Sequence, residues 1–255
     1  MTHGARRRHT AVLAAALAWC SAAPAQTASP LRVLSSNGVR APLEVLEPDC
    51  ERTIGRPVAV EYGTSASIRQ RIANGEPVDV AFVTTTVVAE LAKGGYVTPS
   101  SITPLGRGGI GVGIRAGGHR FAIDTPDAIK RALLAADSVT FAREGASRPH
   151  IDRMFERLGI AAEMQAKTLL EAGSVQAAEK VVAGQAEILL TLVSEILPVE
   201  GMELIGPLPS EFQSYIAFDG ALGAHATDEG AARAFLDCIA APAAAATFAA
   251  KGIER

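Results

Sequence analysis

Cysteine, aromatic residues and net charge of either sign are all scarce in this 255-residue sequence. Three cysteines exclude both a disulfide-scaffolded small domain and a cysteine-rich zinc module. One tryptophan and three tyrosines offer few of the large flat platforms that sugar sites favour. A formal net charge of −3, with a single dense basic run, argues against a nucleic-acid partner. The sequence has no C-x-x-C, no H-x-x-x-H and no dense acidic loop, so neither a metal site nor a cofactor is expected. Disorder is excluded too, because 48% of the residues are hydrophobic and 20% charged. That is material for one large domain, or for two lobes of ~100 residues each.

The first 25 residues read as a secretory signal peptide. Arg6-Arg7-Arg8 form a cationic start, Ala11 to Trp19 is an uncharged apolar run, and Ala23-Pro24-Ala25 offers an A-x-A-type cleavage site. The apolar run is too short to span ~30 Å of hydrocarbon. Cleavage near Ala25 predicts export to the periplasm. Leu17-Ala18-Trp19-Cys20 resembles a lipobox but carries a bulky Trp19 where a small residue is expected, so lipidation at Cys20 stays open. Removing the leader takes away three arginines and no acid, which lowers the formal charge from −3 to −6. It also takes away the only tryptophan. Cys50 and Cys238 remain, and in an oxidising compartment they either pair or stay as two independent buried thiols.

Beyond the leader, apolar runs and helical patterns alternate. Strands are expected at Leu31–Leu34, Pro57–Tyr62 and Val78–Val83, with helices at Val39–Thr53, Ser67–Ala73 and through Lys93. Later strands are expected at Ile110–Arg115, Val139–Phe141, Glu187–Val193, Met202–Ile205 and within Phe212–Leu222. Helices run from Asp124-Thr125-Pro126 to Ala136, over His150–Leu158, from Gly173-Ser174 to Ala183, and over Glu229–Ala240 and Ala243–Lys251. The alternation predicts right-handed βαβ units and a mostly parallel α/β sheet. Two α/β lobes are expected, residues 26–106 plus 212–255 and residues 107–211. The chain would cross near Thr103–Arg107 and return near Pro207–Phe218.

Catalytic motifs are poorly formed. Gly106-Arg107-Gly108-Gly109-Ile110-Gly111 matches G-x-G-x-x-G, but it precedes a strand where a dinucleotide site needs a helix, so a flexible crossover is expected. Ser147 misses the G-x-S-x-G elbow because Pro149 stands in place of the last glycine. No histidine has a spacing that identifies a catalytic triad, and no catalytic residue is expected. What recurs is a strand end running into a hydroxyl- or glycine-rich turn at a helix start: Ser35-Ser36-Asn37-Gly38, Gly63-Thr64-Ser65, Gly145-Ala146-Ser147 and Gly173-Ser174. Each turn offers free backbone N–H donors, a hydroxyl or amide, and about half a positive charge from the helix dipole. Four such turns aimed at one cleft would bind an anion without any fixed cation.

These segments resemble the periplasmic solute-binding proteins of the molybdate/tungstate importer type, a two-lobed type II binding fold. The resemblance is carried by Val33 to Gly38, by Tyr62-Gly63-Thr64-Ser65-Ala66-Ser67 with Ile72 to Val80, by the strand entry at Gly184–Leu190, and by Ala241-Pro242-Ala243-Ala244-Ala245. Val193-Ser194-Glu195-Ile196-Leu197-Pro198 is similar to a less characterised branch of the same family. The resemblance places the first oxyanion-binding serine at Gly38, beside Asn37, and the second at Ser65, beside Thr64. It places far-lobe donors at Ser147 and Ser174, and the tyrosine that closes many molybdate sites beside Thr191. Gly38 lacks the hydroxyl and Leu192 the phenol, which leaves the anion open between a molybdate- or tungstate-like oxyanion and a small carboxylate. Arg148, next to Ser147, could offer a forked donor to a carboxylate or simply be solvated. The implied function is a monomeric, non-enzymatic periplasmic receptor that delivers its anion to an ABC permease in the inner membrane. A ligand sensor or a hydrolase on the same scaffold is the alternative.

Overall fold

The computed structural model describes Met1 and residues 29–255; the leader, its cleavage site near Ala25 and Cys20 lie outside the described residues. The chain opens with β1 (Leu31–Ser36), α1 (Arg40–Ile54), β2 (Val58–Gly63), α2 (Ser65–Ala73), β3 (Val80–Thr84) and α3 (Thr85–Lys93). β1 pairs in parallel with both β2 and β3. Every residue of β3 is buried, as its continuous apolar run requires of an inner strand.

A 13-residue strand, β4 (Thr103–Arg115), leads into α4 (Pro126–Ala135), β5 (Val139–Ala142), α5 (Arg148–Leu158), α6 (Ala161–Lys167) and β6 (Thr168–Glu171). Then come α7 (Ser174–Val182), β7 (Ile188–Leu192), α8 (Val193–Ile196), β8 (Met202–Pro207), β9 (Tyr215–Leu222), α9 (Glu229–Ala240), α10 (Ala245–Ala250) and β10 (Ile253–Glu254). The result is a mixed α/β fold whose sheet runs β2-β1-β3-β9-β4-β7-β5-β6, with β8 and β10 also on β4. Residues 103–109 of β4 pair with β9, and residues 110–114 pair with β7. The partners therefore change between Gly109 and Ile110, and β4 joins two half-sheets, each with its own parallel set: β2-β1-β3 and β7-β5-β6.

Three expectations need correction. The glycine-rich run is part of β4, not a flexible crossover ahead of a strand. Its glycines admit close neighbours: a Cβ on Gly106 would meet the Glu254 carbonyl at 2.4 Å, and one on Gly113 would meet Met202 Cε at 2.7 Å. Residues 161–171, unassigned from sequence, form α6 and the short strand β6. β6 has only four residues, all partly or fully exposed, too few to show a period. The expected C-terminal helix shrinks to a 3₁₀ turn at Pro242–Ala244 followed by six α-helical residues.

One apolar core spans both halves, from Leu31, Val80 and Phe82 through Leu105 and Ile110 to Phe141, Ile188 and Phe218. Two buried contacts tie the first half to the segment from Thr227 through α9. Cys50 of α1 and Cys238 of α9 form a disulfide with Cα atoms 5.8 Å apart. Asp79, whose side chain is fully buried, accepts hydrogen bonds from the Arg32 backbone and guanidinium and from the Thr227 N–H and hydroxyl. Burial alone would push its carboxyl up; the Arg32 and Thr227 donors outweigh that and hold it at about 2, against an ordinary 3.8.

A carboxyl held below its unfolded value stabilises the fold above that value and loses the contribution as pH falls through the folded one. Asp79 should therefore add ~2 kcal/mol at neutral pH and almost nothing once the pH is below 2. Urea titrations of Asp79→Asn should show a deficit of at least ~2 kcal/mol at pH 7 that vanishes in acid; an equal deficit at both ends would refute this. The disulfide closes a loop over 188 residues of separation, for which chain entropy gives at most ~5 kcal/mol. Reduction, or Cys50→Ser with Cys238→Ser, should lower Tm by roughly 5–20 °C, read by calorimetry; an unchanged Tm would show that the bond contributes nothing.

Candidate anion-binding pocket

A pocket of about 20 Å³ lies where the carboxyl ends of both parallel strand sets meet. Its lining includes Ser36 after β1, Thr64 and Ser65 after β2, Gly145, Ala146 and Ser147 after β5, Ser174 after β6, and Thr191 and Glu195 at the end of β7 and in α8. The ring of Phe218 closes one wall.

Three helices of nine or more residues begin here. Thr64 caps α2, accepting from the Ser67 N–H at 3.1 Å. Ser147 stands at the N-cap of α5, and its side chain makes no capping bond. Ser174 is the first residue of α7. First-turn N–H groups of α2 and α7 have no backbone partner inside their own helix. In α5 the Arg148 and His150 N–H groups bond the Gly145 and Ser147 carbonyls, and Pro149 has none. Two sets of donors and three positive dipole ends therefore converge.

The hydroxyls divide into two groups. Ser36 Oγ accepts from the Gly38 N–H at 3.3 Å, and Ser65 Oγ accepts from the Thr84 N–H at 3.1 Å. With Thr64 these are hydroxyls whose oxygens already hold a backbone proton, so each keeps its own O–H to give. Ser174 and Thr191 instead donate to Glu195, the first to Oε1 at 2.9 Å and the second to Oε2. The Leu192 N–H adds a long contact to Oε2 at 3.4 Å. Glu195 is half-buried, and its accessible part faces two cavities: this pocket and an adjoining one of about 270 Å³. Partial desolvation pushes its carboxyl up, and the bonds from Thr191, Ser174 and Leu192 offset this only in part.

The expected site residues are distributed as follows. Thr64, Ser65, Ser147, Ser174 and Thr191 line the pocket, whereas Asn37 lines the adjoining cavity with Arg40 and Glu44. Gly38 does not line either cavity: its N–H is held by Ser36 Oγ and its carbonyl accepts from Ser194 Oγ at 2.7 Å. A Cβ at this position would lie 2.3 Å from Phe218 Cζ, so a serine here is excluded by packing and Ser36 stands nearest in its place. Arg148 is turned away. Its guanidinium meets Asp152 at 3.3 Å and the Arg143 carbonyl at 2.7 Å, in a separate hollow beside Phe155. No lysine or arginine lines the pocket. Ser36 belongs to the expected Ser35–Gly38 turn but takes the place expected of Gly38, and Glu195 is not among the expected site residues. The one sequence signal for Glu195 is its place just after a buried strand, in Val193-Ser194-Glu195. Among the described residues, no group of three or more His, Cys, Asp or Glu could hold a metal ion.

Chemically, the pocket offers neutral donors to a small anion and holds one carboxyl that can carry a proton. The fold is shared with solved structures of low identity. The periplasmic molybdate-binding protein of Azotobacter vinelandii superposes with a TM-score of 0.76 at 17% identity, covering 88% of this chain and 99% of that one. The sulfate-binding protein of Mycobacterium tuberculosis gives 0.67 at 17% identity, over 88% of this chain and 86% of that one. In sequence, an aconitate isomerase from a Pseudomonas species is 28% identical over 237 residues, 90% of this chain and 89% of that protein. The family described as bacterial extracellular solute-binding protein matches residues 31–254. With a match over nearly the whole described chain, and with the two-lobed fold of the periplasmic binding proteins around the pocket, this chain belongs to the bacterial extracellular solute-binding proteins.

Proposed function

We propose that the chain is a periplasmic receptor that captures a small carboxylate-bearing anion in this pocket and presents it to an ABC permease. The observation that carries the reading is the convergence of three helix N-termini and six hydroxyls on one pocket lined by no cationic side chain. Such a site selects at short range, because a chain of formal charge −3, or −6 without the leader, does not attract anions from afar. Charge-assisted hydrogen bonds contribute ~1.5–3 kcal/mol each, so four to six can support micromolar binding after association costs. Residues 26–106 plus 212–255 and residues 107–211 are proposed as the two lobes, closing on the ligand about β4 and the segment before β9. A carboxylate is favoured over molybdate by the aconitate isomerase relative, since an oxyanion is suggested only by proteins of 13–17% identity. A ligand too long for the pocket finds the larger cavity beyond the same Ser174–Glu195 pair.

A second reading is an isomerase of unsaturated carboxylates. It is favoured by Glu195, a proton-carrying group inside an anion pocket, together with the name of the 28% relative. Incubating the purified protein with cis-aconitate and following trans-aconitate by proton NMR separates the two readings. Turnover would make the chain an enzyme; its absence, with binding retained, supports the receptor.

The binding test is calorimetry against cis- and trans-aconitate, citrate, molybdate, tungstate and sulfate. Ser147→Ala should weaken capture ~3–30-fold without loss of stability, because its hydroxyl makes no internal cap. Ser65→Ala should weaken it ~10–100-fold and also cost ~1–2 kcal/mol of stability, because the Thr84 N–H loses its acceptor. Ser65→Asp should abolish it by fixing a negative charge in the pocket. A Ser65→Asp protein that binds as tightly as wild type would overturn the reading.

A further inference from the structure

A carboxyl is an odd neighbour for an anion, and its bonding pattern gives it a definite effect. An ionised carboxylate is only an acceptor. While Glu195 is ionised, Ser174 and Thr191 must both turn their hydroxyl protons toward it, which leaves their lone pairs facing the pocket. The pocket then offers an anion two acceptors where it needs donors. Adding one proton to the carboxyl reverses one of these bonds: the acid O–H donates to the serine or threonine oxygen, and that hydroxyl's own proton is released toward the pocket.

We propose that capture of the anion in this pocket takes up one proton at the Glu195 carboxyl, turning Ser174 or Thr191 into a donor. The inference rests on the reading that the pocket holds a small anion. The step is a proton transfer from solvent to one Glu195 oxygen, with no bond formed or broken in the ligand. Partial desolvation of Glu195 already favours the neutral acid, and a second negative charge beside it favours it further. Charged groups facing it come from two elements. Arg40 and Glu44 of α1 pair with each other at 2.7 Å, and Glu179 of α7 stands on the wall of the adjoining cavity. β7 contributes the uncharged Thr191, and the turn before α1 contributes the uncharged Asn37. Apart from Glu195 itself, no titratable group lines the anion pocket.

The test is calorimetry of wild type and Glu195→Gln with trans-aconitate, or with molybdate if trans-aconitate does not bind. Titrations run between pH 7.5 and 9, above the ordinary carboxyl range, in two buffers of different ionisation heat. Wild-type Kd should rise three- to tenfold per pH unit, with about half to one proton taken up per anion bound. In Glu195→Gln the amide permanently donates to one hydroxyl and accepts from the other, so Kd should become independent of pH, while Glu179→Gln should keep the wild-type slope. A flat wild-type profile, or a slope that survives Glu195→Gln, overturns the proposal and leaves the anion reading standing. Binding of neither probe at any pH overturns both. Should the glutamine variant fail to fold, the carboxyl-carbon NMR shift of Glu195 in wild type decides. It should move to the protonated value on adding the probe at pH 7.5, and an unmoved shift refutes the idea.

Discussion

One strand sets where everything else can be. β4 gives its first seven residues to β9 and its next five to β7, so two half-sheets grow from opposite ends of a single rod. Each half carries its own parallel set, and in parallel sets the loops that open helices all leave from the carboxyl ends. Because the halves share β4, those two rims face each other, and Ser36, Thr64 and Ser65 from one meet Ser147, Ser174 and Thr191 from the other. The glycines of β4 are part of the same constraint, since larger residues at Gly106, Gly111 and Gly113 would collide with β10, α8 and β8.

The electrostatics of the pocket follow from that convergence. Helix ends supply positive potential without the desolvation that a buried arginine or lysine would bring. The hydroxyls are ordered by backbone groups: Gly38, Ser67 and Thr84 each donate to one of them, which fixes the oxygen and leaves the proton to a guest. Ser174 and Thr191 are ordered from the other direction, by a carboxyl, and are the two donors whose direction depends on a proton. Rigid donors and switchable donors thus sit in one small cavity.

Much of this is legible in the sequence, for identifiable reasons. A strand followed by Gly-Thr-Ser or Gly-Ala-Ser and then a helical period marks a helix end, which is why Thr64, Ser65, Ser147 and Ser174 stand out. The parallel α/β order is legible because helices and buried strands alternate at regular spacing. Side-chain direction is not. Arg148 follows Ser147 in sequence, yet the first turn of α5 points it to Asp152 and the Arg143 carbonyl. Whether Ser36 or Gly38 serves the pocket depends on Phe218, 180 residues away, whose ring fills the space of a Gly38 side chain. Glu195 is hidden for a similar reason: on a four-residue helix no period tells a core-facing carboxyl from a solvated one.

The most direct examination of the whole account is a crystal structure of the protein grown with trans-aconitate. One carboxylate should lie within hydrogen-bonding distance of the first-turn N–H groups after Thr64 and Gly173 and of the Ser147 hydroxyl, with Glu195 within reach of the same oxygens or of the hydroxyls that hold them. A ligand seated instead against Arg148 or wholly in the cavity beside Arg40, with the hydroxyl pocket untouched, would contradict it.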